Sequence, residues 1–218
     1  MKLYGSPASQ PSRICLSVAK IANVPVELVA VDLLAGAQKS PEHLALNPLG
    51  KVPVLVDGDF VLTESLAICR YILDVKAPGN TLYPTDVKTR YKIDQLLGAL
   101  NDLRNASRAV AMGRVMLPRM GKKMPEVLIN FAENGVKNGI NAIEAANTGK
   151  KYAYGDGLTL VDIFFTEYLN QSVFSEWDME KENPGVYKYY NDILAEVPVL
   201  KEQSEVVKAV AAKVKAAQ

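Results

Sequence analysis

The stretch of residues 50–71 constrains the fold more than any other part of the chain. Residues 52–56 are a short run rich in valine, of the kind that forms a buried strand, and Asp57-Gly58 is typical of a two-residue hairpin turn. Residues 60–62 then form a second strand that returns antiparallel to the first. We therefore expect a β-hairpin that leads directly into the next element.

The helix expected after this hairpin presents polar groups at its N-terminus. Thr63 can cap the helix, and apolar residues at positions 66, 68, 72 and 73 cover one broad face. Glu64 and Ser65 are then left exposed in the first turn. Because the N-terminus of a helix attracts anions, these two residues are candidate ligand-binding groups.

The first 31 residues predict a β-α-β unit that precedes the hairpin. Residues 2–4 and 26–31 are the two strands, and a turn-rich loop at residues 5–11 leads into the helix between them. A right-handed β-α-β unit followed by an antiparallel hairpin and a closing helix is the α/β thioredoxin-like arrangement. The loop has no Cys-x-x-Cys, so a redox-active dithiol is not expected.

Three short motifs in this half resemble the glutathione-binding half of the cytosolic glutathione transferases. They are Lys-Val-Pro-x-Leu at residues 51–55, Asp-Gly at residues 57–58 and Glu-Ser-x-Ala-Ile at residues 64–68. The resemblance implies that the peptide bond before Pro53 is cis and that the backbone of Val52 pairs with the cysteinyl part of glutathione. It also implies that Glu64 and Ser65 bind the γ-glutamyl end.

The segment at residues 3–13 resembles the serine-type transferases, theta-like with a phi-like Gly-Ser-Pro start, and Ser9 takes the place of the catalytic serine. The chemistry needs a hydroxyl donor, because a free thiol with a pKa of about 8.5 is only a few per cent ionised at neutral pH. Lowering that pKa to about 6.5 corresponds to roughly 2.7 kcal/mol. A charge-assisted hydrogen bond and a helix dipole can together supply this energy.

Other readings of the hydroxyl groups near Ser9 stay open. Ser9 itself could be a simple N-cap or turn residue. Tyr4 is the main rival as thiol activator, because some transferase classes use a tyrosine near the end of this strand. Ser6 suits turn chemistry, and the hydroxyl of Ser12, inside the helix, is expected to bond to its own backbone.

The connection that precedes residue 50 is expected to border the ligand. Theta-like sequences carry a histidine where Gln38 aligns, so the donor to the glycyl carboxylate is substituted here, and Gln38 is a candidate glutathione-binding residue. Lys51 could supply a charge contact to the same group, or it could be an ordinary solvated lysine.

A break at residues 77–86 divides the chain into a predicted thioredoxin-like domain, residues 1–76, and an all-helical domain, residues 87–218. Helical periodicity continues throughout the second part, with prolines between the helices. Thr159 and Asp162 have the spacing of a capping box, which predicts a role in stability and not in catalysis.

Composition narrows the functional class. A formal net charge of +1 with scattered lysines and arginines indicates neither a nucleic-acid nor a membrane partner. Cys15 and Cys69 lie in apolar stretches and are expected to be buried thiols, and the single histidine, His43, cannot form a metal cluster. No signal peptide or membrane span is evident, so a cytoplasmic location is expected.

These observations predict an enzyme that activates glutathione, its co-substrate, for attack on small electrophiles in detoxification. The resemblance implies a homodimer in which Asp102 reaches glutathione across the interface, although an exposed helix carboxylate explains Asp102 equally well. Two alternatives remain: a non-catalytic module of the same fold, as in elongation factor subunits or lens crystallins, and a glutathione-dependent peroxidase or isomerase.

Overall fold

A computed structural model describes residues 1–146, 150–175 and 177–216. The chain divides into two compact units, Met1–Thr85 and Asp86–Gln218. The first unit contains a four-stranded sheet with helices. Its elements are β1 Lys2–Gly5, α1 Gln10–Ile21, β2 Glu27–Ala30, a 3₁₀ turn Ala37–Lys39, α2 Pro41–Leu46, β3 Val54–Asp57, β4 Phe60–Thr63, α3 Ser65–Tyr71 and a π-helical turn Ile72–Lys76.

The strand order β2-β1-β3-β4 confirms the predicted thioredoxin-like arrangement. β1 is parallel to β2 and antiparallel to β3, and β3 is antiparallel to β4. The register places Tyr4 beside Val54 and Val54 beside Thr63, while Gly5 lies beside Ala30. The ends of β1, β2 and β4 and the start of β3 therefore lie at one edge of the sheet.

Two details of the hairpin differ from the prediction. β3 begins at Val54 and not at residue 52, since Pro53 has no N–H to donate to a neighbouring strand. Asp57 pairs with Phe60, so the turn residues are Gly58 and Asp59, and Gly58 adopts a φ of 65°. The hairpin turn thus lies one residue later than the Asp-Gly pair indicated.

The predicted cap of the next helix is also wrong. Thr63 is the last residue of β4, where it pairs with Val54, and Glu64 occupies the N-cap position of α3. The strand continues one residue further than predicted because its partner β3 continues opposite it.

The core of the first unit lies between the sheet and the helices α1 and α3, which pack against each other. Cys15 and Cys69 are part of it, with their sulfur atoms 3.9 Å apart, and both thiols are free. This confirms the predicted burial of the two cysteines. The fully buried apolar side chains here include Leu3, Ile14, Val18, Val54, Leu55, Ile68, Ile72 and Leu73.

In its described residues the second unit contains helices and the turns that connect them, as the periodicity predicted. Pro184 and Pro198 begin helices, which suits a residue with fixed φ and no N–H. The helices are α4 Val87–Ala99, α5 Asn101–Ala111, a π-helical turn Met112–Met116, α6 Leu117–Arg119, α7 Glu126–Ala146, α8 Leu160–Gln171, a 3₁₀ turn Ser172–Phe174, α9 Met179–Glu182, α10 Pro184–Glu196 and α11 Pro198–Lys215.

The predicted capping box at the start of α8 is present. The Asp162 carboxylate accepts hydrogen bonds from the backbone N–H and the hydroxyl of Thr159, at 2.7 and 2.9 Å. It also accepts from the Ala153 N–H and the Tyr189 hydroxyl, both at 2.7 Å. Burial is the main influence on the pKa of this carboxyl group and raises it. The four hydrogen bonds that the carboxylate accepts hold the start of α8 in place.

Candidate active site

One edge of the sheet brings together the four segments that carry most of the predicted site residues. Loop 6–9 leaves the end of β1, and the segment after β2 leads to the turn that contains Gln38. Residues 51–53 enter β3 at the same edge, and Glu64 and Ser65 follow the end of β4. We call these four segments the site edge; all of them belong to the first unit.

Ser9 occupies the N-cap position of α1 without acting as a cap. Its backbone is extended, with φ −87° and ψ 116°, and its N–H donates to the Ser6 carbonyl at 2.9 Å. Its half-buried hydroxyl makes no hydrogen bond to the free N–H groups of the first helical turn. The Ser9 hydroxyl therefore lies at the positive end of a twelve-residue helix and can donate to a ligand.

Two buried side chains hold the loop that carries Ser9. Arg13 is 1% exposed, and its Nη1 donates to the carbonyl oxygens of Pro7 and Ala8 at 3.2 and 3.4 Å. The Ser12 hydroxyl is fully buried and accepts the Ser6 N–H at 3.3 Å, where sequence reasoning expected a bond to its own backbone. These contacts fix the path of the loop at both ends, and Ser12 is inaccessible to a ligand.

Tyr4, the alternative thiol activator, lies in β1 beside Val29 and Val54. Its side chain is half-buried and lies on the opposite face of the strand from the fully buried Leu3. The side chains of Ser9 and Tyr4 are therefore both partly accessible. Substitution of each residue is needed to distinguish which hydroxyl activates a thiol.

The start of α3 combines polar side chains with an unusual backbone. Glu64 has a φ of 66° and a ψ of 115°, a conformation that residues with side chains rarely adopt and that costs on the order of 1–3 kcal/mol. Its side chain is exposed, and Ser65 follows as the first residue of the helix. Such strain is common where a protein holds a ligand.

The thiol of Cys15 contacts the start of α3. It donates weakly to the Ser65 carbonyl oxygen at 3.6 Å, which ties α1 to the first residue of α3. Burial raises the pKa of Cys15 well above its usual range, so the group stays a neutral thiol. A buried neutral thiol is a poor nucleophile, so the role of Cys15 is to link α1 to the start of α3.

The segment before β3 is anchored through the Lys51 carbonyl. His43 Nε2 and Asn47 Nδ2 each lie 3.0 Å from that oxygen, whereas the Lys51 side chain is exposed. The Val52–Pro53 peptide bond is cis, as the resemblance implied. Sequence reasoning missed the contribution of His43 and Asn47; the Asn-Pro-Leu-Gly turn at residues 47–50 was the available signal.

Gln38 and Asp102 belong to different units of the chain. Gln38 lies in the 3₁₀ turn, half-buried, and its amide oxygen is buried without a hydrogen bond from any described residue. Asp102 is exposed in the first turn of α5 and belongs to the helical unit. The site edge therefore includes Gln38 but not Asp102.

Comparison with known proteins identifies the family. The model of the glutathione S-transferase N-terminal domain matches residues 1–74, and that of the C-terminal domain matches residues 109–196. Human glutathione S-transferase theta-2B is 32% identical over 186 residues, which cover 84% of this chain and 76% of that protein. The chain belongs to the glutathione S-transferase family. Arabidopsis thaliana glutathione S-transferase F10 is 36% identical over 151 residues, 67% of this chain and 70% of that protein.

Solved glutathione transferase structures share the complete fold. A human theta-class enzyme in complex with the glutathione conjugate of 1-menaphthyl sulfate has a TM-score of 0.88 and 27% identity, covering 98% of this chain and 89% of that one. Glutathione transferase F7 from Populus trichocarpa has a TM-score of 0.84 and 27% identity, covering 94% and 97%. These relatives confirm the theta- and phi-like character of the chain and its glutathione transferase function.

In the parts of the chain that the structure describes, none of the helices combines the length and the apolar character that crossing a membrane requires.

Proposed function

We propose that the site edge binds glutathione and that Ser9 activates its thiol for attack on a small electrophile. The observation that carries this proposal is the Ser9 hydroxyl, which stands at the N-terminus of α1 without capping it. The same sheet edge holds Val52, Glu64 and Ser65. A tripeptide with its sulfur at Ser9 would therefore meet backbone and charged groups on the neighbouring segments.

Each part of glutathione has a chemically matched group. The Val52 backbone pairs with the cysteinyl part. Glu64 accepts from the γ-glutamyl ammonium, and the Ser65 hydroxyl with the free N–H groups of α3 binds the γ-glutamyl carboxylate. Lys51 contributes a positive charge for the glycyl carboxylate, and the Gln38 amide, which carries two N–H donors, is a second donor to the same group.

The proposed reaction requires only that the thiol lose its proton. The Ser9 hydroxyl donates a hydrogen bond to the sulfur anion, which lowers the pKa of the bound thiol, and the released proton goes to solvent. The sulfur lone pair then forms a bond to an electrophilic carbon, and the leaving group departs with its electron pair. Ser9 keeps its own proton throughout.

We also propose that the enzyme is a cytoplasmic homodimer. Large apolar side chains are exposed on both units, among them Phe60 in β4 and Tyr91 in α4, and a second copy of the chain would cover such groups. In the dimer, Asp102 would approach the partner's glutathione. The free, buried thiols of Cys15 and Cys69 suit a reducing compartment. Sedimentation at micromolar concentration should give twice the chain mass; a monomer would contradict the dimer.

The test of the proposed function is calorimetric titration with glutathione, combined with turnover of an aryl halide and a hydroperoxide. We expect saturable glutathione binding and conjugation of the aryl halide. Turnover of the hydroperoxide alone would indicate a peroxidase, and binding without turnover would indicate a non-catalytic module. Either result would contradict the proposed reaction.

A further inference from the structure

Two buried donors converge on one carbonyl oxygen just before β3. His43 and Asn47 are 5% and 4% exposed, and each places a nitrogen 3.0 Å from the carbonyl oxygen of Lys51. A carbonyl oxygen only accepts, so the geometry assigns the ring proton of His43 to Nε2. Both acceptor positions of the Lys51 oxygen are then filled by the protein itself.

His43 and Asn47 each make further hydrogen bonds to nearby residues of their own segment. The Ser40 hydroxyl oxygen accepts the His43 N–H at 3.3 Å as the N-cap of α2. The Asn47 side-chain oxygen accepts the Leu49 N–H at 3.1 Å, and the Asn47 carbonyl accepts the Gly50 N–H at 2.7 Å. These bonds fix the backbone of His43 and the side chain of Asn47, and near-complete burial leaves both side chains little freedom to move away from the Lys51 oxygen.

The Lys51 carbonyl and the Val52 N–H belong to the same peptide unit. In a planar trans peptide the C=O and N–H point in opposite directions, so a fixed carbonyl also fixes the direction of the N–H. Within the described chain, no group accepts a hydrogen bond from the Val52 N–H, which lies outside the ladder of β3. Hydrogen bonds to the carbonyl also polarise the peptide and strengthen its N–H as a donor.

We propose that His43 and Asn47 are positioning residues for glutathione, which orient the Lys51–Val52 peptide and strengthen the Val52 N–H as a donor to the cysteinyl part of the ligand. This inference rests on the proposed function. It adds a second group of residues, beneath the ligand and out of contact with it, that determines glutathione affinity. Ser9, by contrast, acts on the thiol.

The test removes each donor separately. His43→Phe keeps a ring of similar size without a donor, and Asn47→Ala removes the amide. For each variant we expect the Kd for glutathione to rise about fivefold, the effect of one hydrogen bond worth about 1 kcal/mol. Turnover at saturating glutathione and the pKa of the bound thiol should not change. His43→Gln, which restores a donor, should recover part of the affinity.

Asn80→Ala is the matched control. Asn80 lies in the same unit, donates to the carbonyl oxygens of Leu73 and Ala77 at 3.0 and 2.9 Å, and accepts the Tyr83 N–H at 3.0 Å. Its bonds are of the same kind as those of Asn47 but do not reach the Lys51–Val52 peptide. Asn80→Ala should lower the Tm and leave the Kd for glutathione unchanged.

The amide proton of Val52 provides a measurement on the unmodified enzyme. Adding glutathione should shift this proton downfield in NMR spectra and slow its exchange with solvent, because it gains an acceptor. An amide proton that does not respond to glutathione would overturn the inference. So would His43→Phe and Asn47→Ala variants that lose stability but bind glutathione as tightly as the unmodified enzyme. Failure of the unmodified enzyme to bind glutathione would instead overturn the proposed function.

Discussion

The starts of α8 and α1 each carry a hydroxyl residue at the N-cap position, and the two hydroxyl groups are used differently. At the start of α8, Thr159 is buried and shares a capping box with Asp162, which satisfies the N–H and the hydroxyl of the cap residue. At the start of α1, Ser9 is only half-buried and its hydroxyl makes no capping bond. The start of α8 is therefore capped within the protein, whereas the Ser9 hydroxyl at the start of α1 is left for another partner.

We propose that this difference separates a structural helix terminus, that of α8, from a functional one, that of α1. An N-cap hydroxyl typically stabilises a helix by about 1 kcal/mol, so α1 lacks an interaction that its sequence could supply. Functional sites often give up stability in this way. We expect substitutions at α8 to affect mainly stability and substitutions at α1 to affect mainly the reactivity of glutathione.

The largest effect is expected for Asp162→Ala. The substitution removes the acceptor for the Thr159 N–H and hydroxyl, the Ala153 N–H and the Tyr189 hydroxyl, all at or near the buried start of α8. We expect a loss of about 4 kcal/mol, because each buried donor left unpaired costs about 1–3 kcal/mol. Urea unfolding measures it, with the exposed Asp156→Ala as control. A loss below about 1 kcal/mol would mean that the box is dispensable.

Arg13→Met should lower both the stability of the fold and the reactivity of the bound glutathione thiol. The loss of the bonds to the Pro7 and Ala8 carbonyls should cost about 2 kcal/mol and loosen the loop that carries Ser9. The pKa of bound glutathione should then rise, although the Ser9 hydroxyl is still present. Unfolding curves and a pH titration of the bound thiol test the two effects separately. An unchanged thiol pKa would show that the loop does not need Arg13 to place Ser9.

A pair of cap substitutions tests the comparison itself. Thr159→Ala should lower the free energy of unfolding by about 1 kcal/mol, as for a typical N-cap, and Ser9→Ala by less than about 0.5 kcal/mol. The two variants should be compared by urea unfolding in the same buffer without glutathione. Equal losses would indicate that Ser9 caps α1 in solution.

The smallest effect is expected at Asp57, whose carboxylate lies 2.6 Å from Lys76 Nζ and 2.7 Å from the Tyr71 hydroxyl. The hydrogen bond from Lys76, and then that from Tyr71, lowers the pKa of Asp57 below its ordinary value of 3.8. A lowered carboxyl pKa stabilises the fold above the unfolded pKa, and this contribution is lost as the pH falls through the folded pKa. The Tm difference between the native enzyme and Asp57→Asn should therefore shrink below pH 3.8. A difference that does not depend on pH would rule out the ion pair as its source.

The parts of the fold that depend on local pattern were predictable from the sequence. Apolar spacing indicated α1 and the helices of the second unit, and the capping box followed from the spacing of Thr159 and Asp162. The two-residue hairpin was predicted correctly, but its turn lies one residue later than predicted. The pairing of Asp57 with Phe60 sets this position, and it depends on the partner strand.

The residues of the candidate site could be proposed from the sequence where a motif carries them and not where distant residues support them. Glu64 was predicted as a ligand residue, but its positive φ depends on how β4 meets α3, which no local pattern shows. The convergence of His43 and Asn47 on the Lys51 carbonyl depends on the folding of the connection against the start of β3. These contacts are tertiary, so apolar periodicity does not show them, and the turn motif at residues 47–50 marks only Asn47.

The most direct test of the central claim is a titration of the thiolate absorbance of bound glutathione against pH, for the native enzyme, Ser9→Ala and Tyr4→Phe. If Ser9 donates to the sulfur, the thiol pKa in the native enzyme should be about 6.5 and should rise toward about 8.5 in Ser9→Ala, with little change in glutathione affinity. Turnover of Ser9→Ala at neutral pH should fall and partly recover at alkaline pH. Tyr4→Phe should titrate like the native enzyme. A shift in Tyr4→Phe without one in Ser9→Ala would contradict the account and assign activation of the thiol to the tyrosine.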